Sequence, residues 1–163
     1  MAKNKQLEDL FLDTLKDIYY AEKRILKGLR KLSGGAQSDE LRDAFESHRD
    51  ETQTHIERLE RIFEMLERAA RGKTCDAILG ILEEGDEILE EFEGSDALDA
   101  GLVASAQAVE HYEMARYGSL RTWALELGMT EAADLLGQTL EEEKKADALL
   151  TELAEKNANR KAA

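Results

Sequence analysis

Followed at alternating steps of three and four, the chain resolves into four long stripes, each apolar at both ends and acidic in the middle. The first is Phe11, Leu15, Ile18, Glu22, Ile25, Leu29, Leu32, and the second is Leu41, Ala44, His48, Glu51, His55, Leu59, Ile62, Leu66. The third is Val103, Ala106, Glu110, Glu113, Tyr117, Leu120, Ala124, Leu127, and the fourth is Ala133, Leu136, Leu140, Glu143, Asp147, Leu150, Ala154. Between them stand Ser33-Gly34-Gly35, Ser38, Gly72, Thr74, Gly94-Ser95, Gly128 and Thr130, residue types that stop or cap helices. The pattern predicts helices over about 6–32, 38–71, 76–92, 97–127 and 130–157, with a frayed tail beyond.

The connections at 33–37 and 128–130 are short enough to make antiparallel hairpins. The connection from Gly72 to Asp96 is far longer than an up-down bundle needs, and it carries a helix of its own with Ile78, Leu82, Leu89 and Phe92 on one face. A helix there reaches about 25 Å, which suits a crossover running back along the bundle. Two hairpins joined by one long crossover predict an all-α, ferritin-like four-helix bundle with a short fifth helix, one domain over residues 1–163.

Composition agrees. The 163 residues include no proline, 6% aromatics and 36% charged residues, which excludes an ordinary β-sandwich or barrel. The formal charge of −14 argues against nucleic acid and anionic membrane surfaces as partners. The single cysteine, Cys75, excludes an intrachain disulfide. With no apolar run long enough for a bilayer and no apolar core of a signal peptide, the expected location is the cytoplasm.

The acidic middles carry the chemistry. Glu22, Glu51, Glu110 and Glu143 lie near the midpoints of their helices, and midpoints coincide in height whichever way a helix points. Glu113 and Asp147 join the same layer. A buried carboxylate without a partner costs several kcal/mol, and like charges worsen it. No lysine or arginine stands on the central stripe positions, so a pair of cations is the economical counter-charge. Carboxylates with one or two imidazoles suit iron first, with manganese or zinc as alternatives. His48 and His55 share the face of Glu51, and one of them is expected as a ligand. His111 points off the stripe, Tyr117 lies one turn from Glu113, and Cys75 has no aligned base. The bland alternative is a hydrated polar layer without metal.

The segments Leu-Lys-Asp-Ile-Tyr-Tyr-Ala-Glu-Lys (15–23), His-Arg-Asp-Glu-Thr (48–52) with Ile-Glu-Arg (56–58), Ala-Gln-Ala-Val-Glu-His-Tyr-Glu (106–113) and Thr-Leu-Glu-Glu-Glu-Lys-Lys-Ala-Asp (139–147) resemble the YciE/YciF family. That family comprises bacterial ferritin-like proteins linked to stress responses. The resemblance spans about residues 6 to 157 and implies a rubrerythrin-like bundle, commonly a homodimer, with a two-metal centre. Its implied ligands fall on Glu22, His48, Glu51, Glu110, Glu113, Glu143 and Asp147. Ferritins and rubrerythrins at large use Glu-x-x-His on two helices, whereas Thr54 and Ala146 occupy those places here. His48 and Asp147 are the candidate replacements.

The function expected from these features is a dimetal redox protein that reduces a small oxidant, peroxide or oxygen, with Glu22 and Glu113 as terminal ligands and Glu51 and Glu143 as bridges. The electron donor is left open. The alternatives are a stress-response structural or interaction protein with a structural metal, and an iron-handling protein.

Overall fold

A computed structural model describes residues 4–163. It consists of α1 (Leu7–Gly35), α2 (Asp39–Met65), α3 (Asp76–Glu91), α4 (Leu98–Glu126) and α5 (Thr130–Leu153). A π-helical turn, Ala154–Ala158, then leads into α6 (Asn159–Ala162). The four long helices form a ferritin-like bundle in which α1 packs on α2 and α4, and α5 packs on the same two. The crossover helix α3 lies outside the bundle against α1 and α4. Its seat needs a small residue, because a Cβ on Gly101 of α4 would stand 2.7 Å from Ile88 Cγ2. Among the described residues no helix is long and apolar enough to cross a membrane.

The core stripes bury Phe11, Leu15, Ile18, Ile25, Leu59, Ile62, Leu102 and Leu120 almost completely. On α2 the buried line is Leu41, Phe45, His48, Thr52, His55, Ile56, Leu59, Ile62, Phe63, rotated from the predicted stripe. Burying Phe45, Ile56 and Phe63 removes more apolar surface than burying Ala44 and Leu66. That preference turns Glu51 about 80° from the buried centre line.

Helix ends differ from the sequence pattern for identifiable reasons. α1 continues through Gly34 and Gly35, and the chain turns at Ala36, because Asp99 of α4 accepts the backbone N–H groups of Gln37 and Ser38 at 2.8 and 2.9 Å. α2 stops at Met65, short of Arg71. Glu67 takes a left-handed conformation (φ 53°) while its N–H bonds Glu64 O and that of Arg68 bonds Phe63 O, the two bonds of a Schellman stop. α4 ends with the same pair of bonds around Gly128 (φ 73°), from Gly128 to Leu125 and from Met129 to Ala124. The cap of α3 is Cys75, whose Sγ accepts from the Ile78 N–H at 3.4 Å, rather than Thr74. Met129, not Thr130, is the N-cap of α5. The tail is helical through Ala162, tied back by Asn157 to Glu40 at 3.1 Å and by Lys161 to Gln37 at 3.0 Å.

Candidate metal centre

At mid-height each long helix turns carboxylate or imidazole groups inward. Glu22 comes from α1, His48 and His55 from α2, Glu110 and Glu113 from α4, and Glu143 from α5. Seven residues make nearly two turns, so His48 and His55 share one face at different heights. All six side chains are buried. Their donor atoms form two groups, each within 4.8 Å: Glu22, His55, Glu113 and Glu143, and His48, Glu110, Glu113 and Glu143. Glu113 and Glu143 belong to both.

Each histidine has a carboxylate behind it. His55 Nε2 lies 2.9 Å from Glu142 Oε2. Arg58 holds Glu142 with two N–H donors, at 2.6 and 2.8 Å, and Thr139 Oγ1 at 3.1 Å. A carboxylate pinned in this way accepts the Nε2 proton and leaves Nδ1 facing the centre. That Nδ1 is 3.0 Å from Glu143 Oε1 and 3.5 Å from Glu22 Oε1. His48 mirrors the device: Nδ1 is 3.2 Å from Glu51 Oε2, and Nε2 points inward, 2.7 Å from Glu110 Oε1 and 3.5 Å from Glu143 Oε2. Tyr117 donates its hydroxyl to Glu22 Oε1 at 2.5 Å.

The inward atoms converge without pairing. Among the described residues, every buried side-chain nitrogen or oxygen that lacks a hydrogen-bond partner belongs to these six residues: Glu22 Oε2, His48 Nε2, His55 Nδ1, Glu110 Oε2, and both oxygens of Glu113 and Glu143. The close approaches of His48 to Glu110 and of His55 to Glu143 therefore lack hydrogen-bond alignment. Orphaned buried polar groups each cost roughly 1–3 kcal/mol, and a cation at the convergence point would satisfy them together. Four carboxylates against two neutral imidazoles carry the charge that two divalent cations would cancel.

Protonation follows the same geometry. Burial pushes Glu113 well above the ordinary carboxylate range, and the charges of Glu143, Glu22 and Glu110 push it further. Burial also raises Glu143, with Glu110 adding to the effect. Burial raises Glu22 too, but its contacts with His55 outweigh that and hold it below the usual value. Burial lowers His48, yet Glu110 and Glu51 outweigh it and take the imidazole up to about 10. His55 is raised against its burial by Glu22 and Glu142. Without a cation, the raised Glu113, Glu143 and His48 favour proton uptake, which lowers the centre's negative charge.

Of the candidates from the sequence, the structure brings together Glu22, His48, His55, Glu110, Glu113 and Glu143. Two stand apart from both groups. Glu51, with its side chain 46% exposed, touches the centre only through His48. Asp147 sits at the α4–α5 seam, 3.3 Å from His111 Nε2 and accepting from Gln107 Nε2 at 3.2 Å. Thr52 takes the buried place beside Glu51 and spends its hydroxyl on the His48 carbonyl at 2.8 Å. Glu142 and Arg58 escaped the sequence pattern because both lie off the stripes. The one available signal was the spacing of Arg58, one turn after His55. Cys75 has a structural place, 3.0 Å from Tyr112 Oη, with its thiol pushed up by burial.

Comparison with known proteins agrees with this architecture. The chain is 43% identical to the protein YciF of Escherichia coli over 159 residues, covering 97% of this chain and 96% of YciF. The crystal structure of that stress protein superposes with a TM-score of 0.91 at 43% identity, covering 96% of this chain and 99% of the other. YcfI of Rhodopseudomonas palustris, described provisionally as a structural protein, gives a TM-score of 0.89 at 44% identity over 93% of this chain and 97% of its own. A Xanthomonas campestris protein, 23% identical with a TM-score of 0.73 over 93% of this chain and 92% of its own, shares the fold. The family model described as "Domain of unknown function (DUF892)" matches residues 6–163. With that match and its likeness to YciF across nearly the whole length, the chain belongs to the DUF892 family of YciF-like proteins.

Proposed function

We propose that this protein holds two metal ions, iron foremost and manganese or zinc as alternatives, and that with iron or manganese bound it reduces peroxide or oxygen in stress defence. The observation that carries this is the pair of donor groups sharing Glu113 and Glu143, with the buried unpartnered atoms confined to their members. Oxygen and imidazole donors without thiolate suit these metals. When bound, redox-active ions would supply the electrons that a small oxidant takes up. The chain's own residues do the rest. Glu113 and Glu143 belong to both groups, so they would bridge. Glu22 and His55 on one side, and Glu110 and His48 on the other, would be terminal ligands. Glu142 and Glu51 hold the outer imidazole N–H groups and thereby fix which nitrogen faces inward. Tyr117 fixes one Glu22 oxygen and leaves the other free. The homodimer implied by the family resemblance and the cytoplasmic location expected from the sequence belong to this proposal.

A second function has its own support: the six residues come from all four long helices, so bound metal would cross-link the bundle whether or not it turned over. One experiment separates the two. Protein purified without chelator is assayed for metal, reloaded with two equivalents of Fe(II) and mixed with peroxide. Two bound ions and rapid peroxide consumption are expected. Two bound ions with no consumption beyond free Fe(II) leave the structural function, and failure to bind metal removes both.

A further inference from the structure

The two donor groups are not equally reachable. The group containing His55 is closed: Glu22, His55, Glu113 and Glu143 are each 0% exposed. Outside it lie the Arg58–Glu142 pair behind His55 and the Tyr117 hydroxyl on Glu22. The group containing His48 meets a cavity of about 130 Å³ between α2 and α5, with His48 and Glu110 among its lining residues. Its walls include the small side chains Ala44, Ser47 and Ala146. Such residues at facing positions leave the seam between the two helices unfilled. Leu149, 45% exposed, lines it too, as do Glu51 and Lys145. Among the described residues Lys145 pairs with no carboxylate, unlike Lys144, which bonds Glu141 at 2.8 Å.

We infer that a small oxidant enters through this seam and reaches the centre only on the His48–Glu110 side, and that the seam selects by size. The inference rests on the dimetal function proposed above and names its substrate class: peroxide or oxygen itself, not a bulky organic hydroperoxide. At the floor of this cavity His48 and Glu110 are only 7% and 1% exposed, so what reaches their ligand atoms must be as small as hydrogen peroxide or oxygen, and an aryl hydroperoxide is too broad. The histidine of the Glu-x-x-His pattern that ferritins and rubrerythrins at large use would stand at position 146, where alanine is found. The side chain missing there is one of the reasons the seam stays open. Glu51, half-exposed at the same cavity, is placed to orient His48 from outside through Nδ1.

The test uses Co(II)-loaded protein with azide as a probe anion, read by visible absorption. Fe(II)-loaded protein is then given hydrogen peroxide or cumene hydroperoxide. Ala146→Phe fills the seam, and Leu149→Ala widens it. Ala146→Phe should keep two equivalents of metal and take up azide at least about tenfold more slowly, because entry then needs the helices to part. Leu149→Ala should speed azide uptake and raise the rate with cumene hydroperoxide relative to hydrogen peroxide. Unchanged azide uptake in metal-loaded Ala146→Phe overturns the inference. If that variant does not fold or load, Leu149→Ala decides alone: no change in azide rate and none in the hydroperoxide ratio overturns it. Slowed azide uptake in a protein that never consumes peroxide upholds the entry route and removes the catalytic function, whereas wild-type protein that binds no Co(II) removes both.

Discussion

His55 and His48 face the same two shared carboxylates with the same device behind them, yet one sits in a closed wall and the other beside a solvent seam. The carboxylate behind His55 is itself clamped by a guanidinium. The one behind His48 is half in water and unclamped. A hydrogen bond in a low dielectric with a fixed partner orients more firmly than one competing with water. The closed side therefore has the build of a permanent anchor, and the open side that of a place where ligands exchange.

Breaking what the sides share should have the largest effect. Glu113→Leu or Glu143→Leu takes a donor from both groups, and metal content measured after dialysis should fall from two equivalents to nearly none. The same variants should raise the metal-free melting temperature. Each removes a buried carboxylate that lacks a hydrogen-bond partner, worth roughly 1–3 kcal/mol. A metal-free variant less stable than wild type would contradict the account of the centre.

Breaking one side at a time sharpens the contrast. Glu142→Gln should weaken metal binding by about 10- to 100-fold, as loss of a histidine's outer partner commonly does. Glu51→Gln should fall at or below the low end of that range. Competition titration with a chromophoric chelator measures both, and equal losses would show that burial of the backing carboxylate does not matter.

The proton inventory predicts a pH effect on the metal-free form. His48 is raised from 6.5 to about 10. Its stabilising contribution is complete below the unfolded value and is lost as pH climbs from about 6.5 to 10. Glu113 and Glu143, also raised, act in the same sense, losing their contribution as pH rises through their folded values. Glu22 is lowered and opposes them only in acid, where its contribution is lost as pH falls through its folded value. Thermal melts should therefore show metal-free protein losing stability from pH 6.5 to 10. Metal binding, which releases these protons, should strengthen with pH across the same range. A flat profile for the metal-free form would contradict the protonation scheme.

The smallest expected effect lies away from the site. Glu67→Gly relieves a left-handed non-glycine residue but adds unfolded-state freedom, so the net gain should be at most about 1 kcal/mol, or a few degrees in Tm. The reverse change at the other Schellman stop, Gly128→Glu, should cost more than that, since glycine is already optimal there.

These two stops also show how far sequence patterns reach. Gly128 marks its helix end because the residue type itself prefers the conformation. Glu67 does not, and the end of α2 was accordingly expected at Gly72. The bundle was legible because stripes of three-four spacing have one economical burial and the long crossover limits the topology. The central carboxylates were legible because acids are rare on such stripes. The stripe on α2 admits two neighbouring rotations, one with Glu51 facing inward and the observed one with it half-exposed. Only packing Phe45, Ile56 and Phe63 against the other helices chooses between them.

The sequence alone determined the helices, their pairing into hairpins, and the placement of Glu22, Glu110, Glu113 and Glu143 in one layer, since each follows from local periodicity and chain length. Tertiary structure decided the rest: which face of α2 turns inward, that both histidines enter the centre, that Glu142 and Arg58 secure one of them, and that a seam lined by Ala44 and Ala146 reaches the other. Those outcomes depend on side-chain volumes meeting across helices far apart in the chain, and no periodicity within a single helix encodes them.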